Sequence, residues 1–485
     1  MDVRRQPTRD EQAKPAPAGR QLDLPFPSAA RGEAPRQTGG RVEASASDRG
    51  NQSPASPQPG KAVSSPVEAP PPSVMQEVLD PENLGAALDQ VVSNQGAPGV
   101  DGMSVEELPE FLRAHWPGIR QQLLDGTYKP DPVRRKDIAK PDGGVRKLGI
   151  PTVLDRFIQQ AVQQVLSRRW DPTFSPNSFG FRPGRSAHQA VARAQQYIAE
   201  GRGWVVDLDL EKFFDRVNHD RLMGRIMKRE HDQALRKLIR SFLTAGVMEQ
   251  GLVSPTDEGT PQGGPLSPLL SNLVLDELDR ELERRGLRFV RYADDCNIYV
   301  GSARAGKRVM DGVSRFISRT LKLKVNTSKS AVARPKDRKF LGFSFTGGQG
   351  PKRRIAPKAL SRMKERVREL TRRGKGMSLR QLIAPLNDYL RGWRAYFGKC
   401  QTPSVLEKLD TWIRRRLRCV VLRHWKTGRR RYAELVKRGV SEDLAAKTAG
   451  SAHGPWRLSR SVALHVAFPN AFWDWLRVAR VAAVG

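Results

Sequence analysis

The chain has 485 residues, with 84 Lys and Arg against 51 Asp and Glu, and its formal net charge is +33. Hydrophobic residues make up 38%, enough to build folded cores, so a wholly disordered chain is excluded. No apolar run approaches the roughly 18 residues of a membrane-spanning helix, which excludes an integral membrane protein of the helical class. The three cysteines form no CxxC pair, which excludes a disulfide scaffold and a zinc ribbon.

The charge is distributed unevenly along the chain. Residues 1–74 have a net charge of +2 and contain 13 of the 35 prolines, as in QSPASPQPG, so we expect a disordered tail. Residues 75–335 have a net charge of +6, whereas residues 336–485 have 35 basic and 10 acidic residues, a net charge of +25. This imbalance favours a polyanionic partner over a merely solvated cationic face, and an anionic membrane surface is the weaker alternative.

The first motif with predicted chemistry is RRKDIAKPDGGVRKLGIPTVLDR, residues 134–156. It predicts a basic hairpin with Lys140, Arg146 and Lys147 around a tight PDGG turn. Arginine can grip a phosphate through two bonds, so such a hairpin suits a triphosphate. Basic hairpins are also common on protein surfaces, and this alternative stays open.

Residues 204–210 have the period-two pattern of a strand. In that strand Asp207 and Asp209 share one face with Val205. The pattern becomes helical after the aromatic pair at residues 213 and 214. The alternative to a functional site is a strand whose acidic face is simply exposed.

Residues 257–282, DEGTPQGGPLSPLLSNLVLDELDREL, predict a glycine- and proline-rich loop that opens into a helix. Gly263 and Gly264 would allow the backbone to approach a base pair or sugar closely, and Gln262 offers an amide. The alternative is an ordinary glycine-rich loop at the start of a helix.

Residues 289–300, FVRYADDCNIYV, predict a β-hairpin with Asp294 and Asp295 at or beside its turn. Adjacent carboxylates repel each other unless cations neutralise them, and magnesium prefers such hard oxygen ligands. Together with Asp209, the pair could hold two metal ions about 4 Å apart for in-line attack on phosphorus. The pattern therefore predicts nucleotidyl transfer.

The C-terminal region predicts amphipathic helices. The first has an apolar face that includes Met363 and Val367, and the second, around residues 386–397, has Pro385 in its first turn. A third covers residues 406–420 and precedes a further basic cluster. An α-helical bundle with one cationic side suits duplex or structured RNA. The predicted RNA-binding residues are Arg362, Lys364, Arg366, Arg368, Arg429, Arg430 and Arg431.

Eight motifs occur in order and resemble those of the reverse transcriptases encoded by bacterial group II introns. They are GAPGVDG, KPDGGVRKLGIPTVLDR, SFGFRPGRSAHQA, DLDLEKFFD, GTPQGGPLSPLLSN, YADD, NTSKS and FLGFSF. The resemblance covers roughly residues 75–435 and implies an α+β right-hand polymerase. The implied domains are the disordered tail 1–74, fingers and palm with an antiparallel sheet over 75–350, an α-helical thumb or maturase domain over 351–435, and a basic and aromatic nucleic-acid-binding tail over 436–485.

The resemblance assigns Asp209, Asp294 and Asp295 as the catalytic carboxylates that bind two Mg²⁺ ions. Asp209 is preferred to Asp207 because the family places its aromatic gate five residues after this aspartate, which is Phe214 here. A ring there would clash with a ribose 2′-hydroxyl and so select deoxynucleotides; its alternative is a core phenylalanine.

The resemblance also implies further contacts with nucleotide or template. Lys140 and Arg146 match triphosphate contacts, and Gln262 matches a template- or nucleotide-positioning glutamine. Lys329 matches a lysine that protonates pyrophosphate, with an ordinary exposed lysine as its alternative. Arg182 would contact template or nucleotide, with a structural arginine between fingers and palm as its alternative.

The implied function is RNA-directed DNA synthesis from a DNA primer with deoxynucleoside triphosphates, together with binding of the intron RNA during splicing and mobility at target DNA. We expect a cytoplasmic protein at the bacterial nucleoid that does not bind membranes, and oligomeric state is not specified. Many members of the resembled family end in an H-N-H nuclease that contains paired cysteines. Because no CxxC pair is present here, we expect no such nuclease, and by analogy with the family we expect a primer from a replication fork. The alternatives are an RNA-binding splicing cofactor without polymerisation, or a related reverse transcriptase of a defence or diversity-generating system.

Overall fold

The computed structural model describes residues 73–139, 143–249, 251–255, 258–260, 263–348, 350–372 and 377–482. Lys140, Gln262 and almost all of the predicted disordered tail lie outside these residues. The helices are α1 (Val74–Val78), α2 (Pro81–Ser93), α3 (Leu108–Asp125), α4 (Val153–Trp170), α5 (Ala187–Ala199), α6 (His219–Met227), α7 (Gln233–Thr244), α8 (Ser267–Arg284), α9 (Ala303–Phe316), α10 (Pro357–Leu370), α11 (Leu379–Phe397), α12 (Pro403–His424), α13 (Gly428–Val436), α14 (Glu442–Ala449), α15 (Pro455–Leu458), α16 (Val462–Ala467) and α17 (Asn470–Trp475).

The strands form three sheets. They are β1 (Val133–Ala139), β2 (Val145–Ile150), β3 (Trp204–Leu208), β4 (Val247–Glu249), β5 (Leu252–Ser254), β6 (Arg288–Tyr292), β7 (Asp295–Val300), β8 (Ala331–Ala333), β9 (Phe343–Phe345) and β10 (Arg353–Ile355). Two sheets have four strands, in the orders β2-β1-β4-β5 and β6-β7-β3-β8, and β9 pairs with β10. The mixture of helices and sheets confirms the predicted α+β class.

The chain forms two compact units. The first ends at Thr173 and resumes over Phe214–Leu270, and the second comprises Phe174–Phe213 and the chain from Ser271. In the first unit, β1 and β2 form the predicted basic hairpin, with Ala139 opposite Val145 beside its turn. Helix α4 begins at a Thr152 cap, whose hydroxyl accepts a hydrogen bond from the Asp155 amide.

A close backbone contact explains why the loop before α8 has a glycine at residue 263. Gly263 has a φ of +144°, and a Cβ atom there would lie 2.4 Å from the carbonyl oxygen of Gly149 in β2. A side chain would therefore collide with the backbone of the hairpin. The close approach predicted for this glycine occurs, but the observed neighbour is protein backbone.

In the second unit, β3 lies between β7 and β8 and is antiparallel to both. The strand ends at Leu208, two residues earlier than the sequence predicts. The Asp209 amide donates to the Ser330 hydroxyl at 3.0 Å, and its carbonyl accepts from the Asn326 amide at 2.8 Å. Asp209 is thus held by a neighbouring loop beyond the end of the strand.

Helices α10, α11 and α12 bury the apolar faces that the sequence predicts, including Met363 and Val367. The predicted position of Pro385 in the first turn of its helix is wrong. Helix α11 begins at Leu379, so Pro385 lies inside the helix. The Ser378 side chain caps the helix through a capping box with Gln381, and this cap sets the earlier start.

The apolar core of this region continues past residue 435. It includes Val440, Trp473 and Val481 together with the cores of α10 to α12. The buried Asp410 carboxylate of α12 accepts hydrogen bonds from the Val481 and Ala482 amides at 2.9 and 3.0 Å. The C-terminal segment therefore packs into the same helical body as the predicted thumb.

No helix among the described residues combines the length and the apolar character that crossing a membrane requires.

Candidate catalytic site

The YADD motif forms a two-residue hairpin turn. Tyr292 pairs with Asp295, which leaves Ala293 and Asp294 as the turn residues between β6 and β7. Ala293 has a φ of +56°, a left-handed conformation that non-glycine residues seldom adopt outside turns. The hairpin predicted from the sequence is confirmed, with Asp294 at its tip and Asp295 as the first residue of β7.

Strand β3 adds the third carboxylate. Leu208, the last residue of β3, pairs with Cys296 of β7. Continuing this antiparallel register by one residue brings Asp209 opposite Asp295. Asp209, Asp294 and Asp295 therefore lie together at one end of the central sheet of the second unit.

The carboxylates influence one another electrostatically. Desolvation raises the pKa of Asp295, and the negative charges of Asp294, Asp207 and Asp209 raise it further, to about 7. The side chain is nevertheless exposed to solvent, which moderates the desolvation, whereas the like-charge repulsion remains. It is this repulsion between like charges that a bound cation would relieve.

The donor chemistry fits hard divalent cations, which prefer carboxylate oxygens. Among the described residues, no three Asp, Glu, His or Cys side chains converge to the spacing of a metal site. Like charges favour side chains that diverge when no cation lies between them, and carboxylates on neighbouring backbone positions would have to rotate between staggered rotamers to meet at one ion. The backbone positions of the three aspartates and their carboxylate oxygens therefore fit divalent metal ions, and rotation of the side chains would complete the site.

The loop formed by the NTSKS motif, residues 326–330, places a cation beside Asp209. The Lys329 ammonium lies 3.8 Å from Asp209 Oδ2, and its side chain is 56% exposed. The same loop holds the Asp209 backbone through Ser330 and Asn326. Lys329 is therefore brought to the carboxylates, as the sequence predicts, and its role in proton transfer stays a prediction.

A buried ion pair supports the catalytic turn, and the sequence did not reveal it. Arg291 of β6 donates to both oxygens of Asp279 in α8, at 2.7 and 2.6 Å, with side chains 1% and 0% exposed. Its Nη1 also donates to the Ala293 carbonyl at 2.9 Å and to Asn272 Oδ1 at 3.0 Å. Its strand, RFVRY, contains a second arginine at the exposed residue 288, so the sequence alone did not mark Arg291 as the buried one.

Gly180 of the SFGFRPG motif packs directly against this turn. A Cβ atom at Gly180 would lie 2.3 Å from the Ala293 amide nitrogen. The Gly180 carbonyl accepts a hydrogen bond from Asn272 at 2.9 Å. The motif therefore contributes backbone contacts that help to define the shape of the catalytic turn.

Arg182 follows in the same motif and is 8% exposed. Its Nη1 donates to the carbonyls of Ser175 and Ser178, at 2.6 and 3.0 Å. These contacts favour a structural role for Arg182. The predicted alternative was an arginine that joins fingers and palm, whereas these bonds join Arg182 to its own segment of the second unit.

The remaining predicted nucleotide contacts that the structure describes, Arg146 and Phe214, lie in the first unit. Phe214 is 7% exposed, which fits the alternative of a core phenylalanine, and its carbonyl accepts from the Thr260 amide at 2.7 Å. Arg146 is half-buried on β2, opposite Ile138. Neither observation tests their predicted roles.

The predicted RNA-binding residues are mostly exposed. Arg362, Arg366 and Arg368 are exposed on α10, with Lys364 half-buried. On α13, Arg429 and Arg430 are exposed, and Arg431 is half-buried and donates to the Trp425 carbonyl. The structure thus places two exposed basic groups on the C-terminal helices.

Two family models match the chain. Residues 138–345 match "Reverse transcriptase (RNA-dependent DNA polymerase)", and residues 360–439 match "Group II intron, maturase-specific domain". Reverse transcriptases generally use divalent metal ions, and these two domains imply nucleic-acid substrates and intron RNA.

Two curated relatives are similar in sequence. Protein YkfC of Escherichia coli (strain K12) is 32% identical over 314 residues, which cover 56% of this chain and 81% of YkfC. The group II intron-encoded protein LtrA of Lactococcus lactis subsp. cremoris is 39% identical over 222 residues, which cover 44% of this chain and only 36% of LtrA.

A solved structure titled "Partial Cas6-RT-Cas1--Cas2 complex" is 25% identical, with a TM-score of 0.34 and coverage of 51% of this chain and 43% of that chain. A similarity at this level supports no functional conclusion. The order of the two matched domains and the match over four fifths of YkfC are sufficient to assign the family. The chain belongs to the group II intron-encoded reverse transcriptases, which are RNA-directed DNA polymerases that also contain a maturase domain.

Proposed function

We propose that this chain copies RNA into DNA with two Mg²⁺ ions held by Asp209, Asp294 and Asp295. The observation that supports this most directly is the register between β3 and β7, which pairs Leu208 with Cys296 and so brings Asp209 and Asp295 to neighbouring positions beside the Asp294 turn. Bound magnesium would supply activation of the primer 3′-hydroxyl and stabilisation of the charge that develops on the transferred phosphate.

The residues of the chain would position the reacting groups. The three carboxylates provide the negative charge that the cations need, and the buried Arg291 pair fixes the turn that presents two of them. By this proposal the Lys329 ammonium, which lies 3.8 Å from Asp209 Oδ2, would deliver a proton to the pyrophosphate leaving group. The roles of Lys140, Arg146, Arg182, Phe214 and Gln262 rest on the family resemblance alone.

Primer extension tests this proposal. The full-length protein should extend a DNA primer on an RNA template in the presence of Mg²⁺, and Asp294→Asn should lower the rate by at least about a hundredfold. Asp311→Asn is a matched control, because it removes the same charge from an exposed position on α9. Equal activity of Asp294→Asn and wild type would contradict the assignment, and an inactive wild type would favour the alternative of a splicing cofactor without polymerisation.

We further propose that the exposed basic groups of α10 and α13 bind the intron RNA and assist its splicing and mobility. RNA with irregular shape is recognised largely through its phosphates, which suits arginines presented along one helix face. By this proposal the chain works in the cytoplasm at the nucleoid, where intron RNA, template, target DNA and deoxynucleotides meet.

Salt-dependent binding tests the RNA role. Replacing Arg362, Lys364, Arg366 and Arg368 with glutamine should weaken intron RNA binding. The slope of log affinity against log salt should fall by up to about 3.6, since each lost phosphate contact contributes about 0.7 to 0.9. Replacing Arg304, Lys307, Arg308 and Arg315 of α9 removes the same charge elsewhere and serves as the control. An unchanged slope in the α10 variant would refute the assignment of RNA binding to that face.

A further inference from the structure

A fourth carboxylate lies beside the three predicted metal ligands, and one arginine engages it. Asp207, the penultimate residue of β3, precedes Asp209 by two residues, which corresponds to about 7 Å of extended chain. The Arg338 Nε and Nη2 atoms both donate to Asp207 Oδ2, at 2.8 and 2.6 Å. The side chains are 31% and 18% exposed, so the pair is shielded but not deeply buried.

The second oxygen of Asp207 is also engaged. Asn297 is its partner across the β3–β7 ladder. In the amide orientation that satisfies both of its polar atoms, Asn297 donates to Asp207 Oδ1 at 2.9 Å. Both oxygens of this carboxylate therefore accept hydrogen bonds from protein donors, and a cation could bind them only by displacing these donors.

The same guanidinium reaches the NTSKS loop. Arg338 Nη2 donates to the Lys329 carbonyl at 2.7 Å, and the Lys329 ammonium lies 3.8 Å from Asp209 Oδ2. Arg338 thus connects the fourth carboxylate to the loop that holds Asp209. Two different roles follow for Arg338, control of charge at Asp207 or support of the loop, and they can be separated experimentally.

We propose that Arg338 is a positioning residue that keeps Asp207 from binding divalent cations. Three carboxylates, and not four, are then available to bind metal at the catalytic site. This inference rests on the proposed function of Asp209, Asp294 and Asp295. Without Arg338, the free Asp207 carboxylate would add a hard oxygen ligand and a negative charge next to the site. Metal ions would then bind more tightly but be drawn away from the position that the reaction needs.

Manganese binding to the full-length protein, without nucleic acid or nucleotide, tests the proposal through the electron paramagnetic resonance signal of free Mn²⁺. Arg338→Gln should bind Mn²⁺ about tenfold more tightly, because a nearby unpaired charge acts strongly on a divalent ion, and should extend primers more slowly. Adding Asp207→Asn to that variant should return both properties to within about twofold of wild type, since the extra charge is then gone.

Two further variants complete the design. Arg338→Lys keeps a cation beside Asp207 and should bind Mn²⁺ as the wild type does. Arg334→Gln removes the same charge, but Arg334 stacks over the Trp204 ring and donates to the Gly203 carbonyl at the other end of β3, so it should leave Mn²⁺ binding unchanged.

Three results would overturn the proposal: wild-type Mn²⁺ binding by Arg338→Gln, tenfold tightening in Arg338→Lys or Arg334→Gln, or a double variant that still behaves as Arg338→Gln does. The last result would assign Arg338 to support of the Lys329 loop. Failure of the proposed function is a separate outcome, because it appears as absent primer extension by the wild type or as full activity of Asp294→Asn.

Discussion

The buried pair of Arg291 and Asp279 permits a prediction that separates stability from catalysis. Asp279→Asn removes the charge that balances a guanidinium with 1% side-chain exposure. The amide keeps only one acceptor oxygen for the two donors that now bind the carboxylate, and its own NH₂ group would face the arginine. Breaking a buried pair in this way should lower the free energy of unfolding by about 3 to 5 kcal/mol.

Replacing both partners should be less costly. Arg291→Met combined with Asp279→Leu removes both charges and fills the space with apolar atoms, so we expect a smaller loss of stability than in Asp279→Asn. The loss is not zero, because the Ala293 carbonyl and Asn272 Oδ1 each lose a buried donor. Urea unfolding of the full-length protein, followed by circular dichroism, measures these differences.

Primer extension by the double variant should nevertheless remain impaired, because the Ala293 carbonyl loses its donor from Arg291. The rate should fall at least about tenfold if the catalytic turn depends on that bond. The reasoning is refuted if Asp279→Asn costs less than about 1 kcal/mol, or if the stable double variant extends primers at the wild-type rate.

Three other predictions concern single residues. Gly180→Ala should reduce primer extension at least about tenfold, since its Cβ would collide with the Ala293 amide, whereas Gly301→Ala, with nothing within 4 Å, should not. Burial raises the folded pKa of Asp155 from 3.8 to about 6. The stability that protonated Asp155 contributes should therefore be present in full below about pH 4 and be lost as the pH rises through about 6, a total of about 3 kcal/mol by about pH 7. Urea unfolding should find this part of the pH dependence in the wild type and not in Asp155→Asn. Phe214→Val should increase ribonucleotide incorporation if the ring is the gate, whereas a core role predicts only lower stability, which thermal unfolding would show.

The local patterns in the sequence were sufficient to predict the hairpin and the strand that hold the site. Alternation in residues 204–210 predicts a strand, but Asp209 lies beyond its end because Ser330 and Asn326, more than 110 residues later in the chain, bind its backbone. No periodicity within a short window can report such a long-range contact. The proximity of Asp209 to Asp295 was suggested by chemistry, and in the structure it follows from the Leu208–Cys296 pair that ends the β3–β7 ladder.

Two arginines show what the sequence left undetermined. Arg291 reads as one more charge in a basic chain, yet it is buried because Asp279 and Asn272 on α8 satisfy its donors. Arg338 gains its partner only because the segment after β8 brings it beside β3. Pro385 shows the converse, since a good cap at Ser378 extends a helix through a residue that usually marks its start.

The most direct test of the central assignment is single-turnover addition of one deoxynucleotide to a DNA primer on an RNA template, with variants at all four aspartates of the site. Asp209→Asn, Asp294→Asn and Asp295→Asn should each slow addition by at least about a hundredfold, and Asp207→Asn by less than about tenfold. Loss of activity in Asp207→Asn with retention in Asp209→Asn would contradict the account, because the catalytic carboxylate of β3 would then be the one that Arg338 engages.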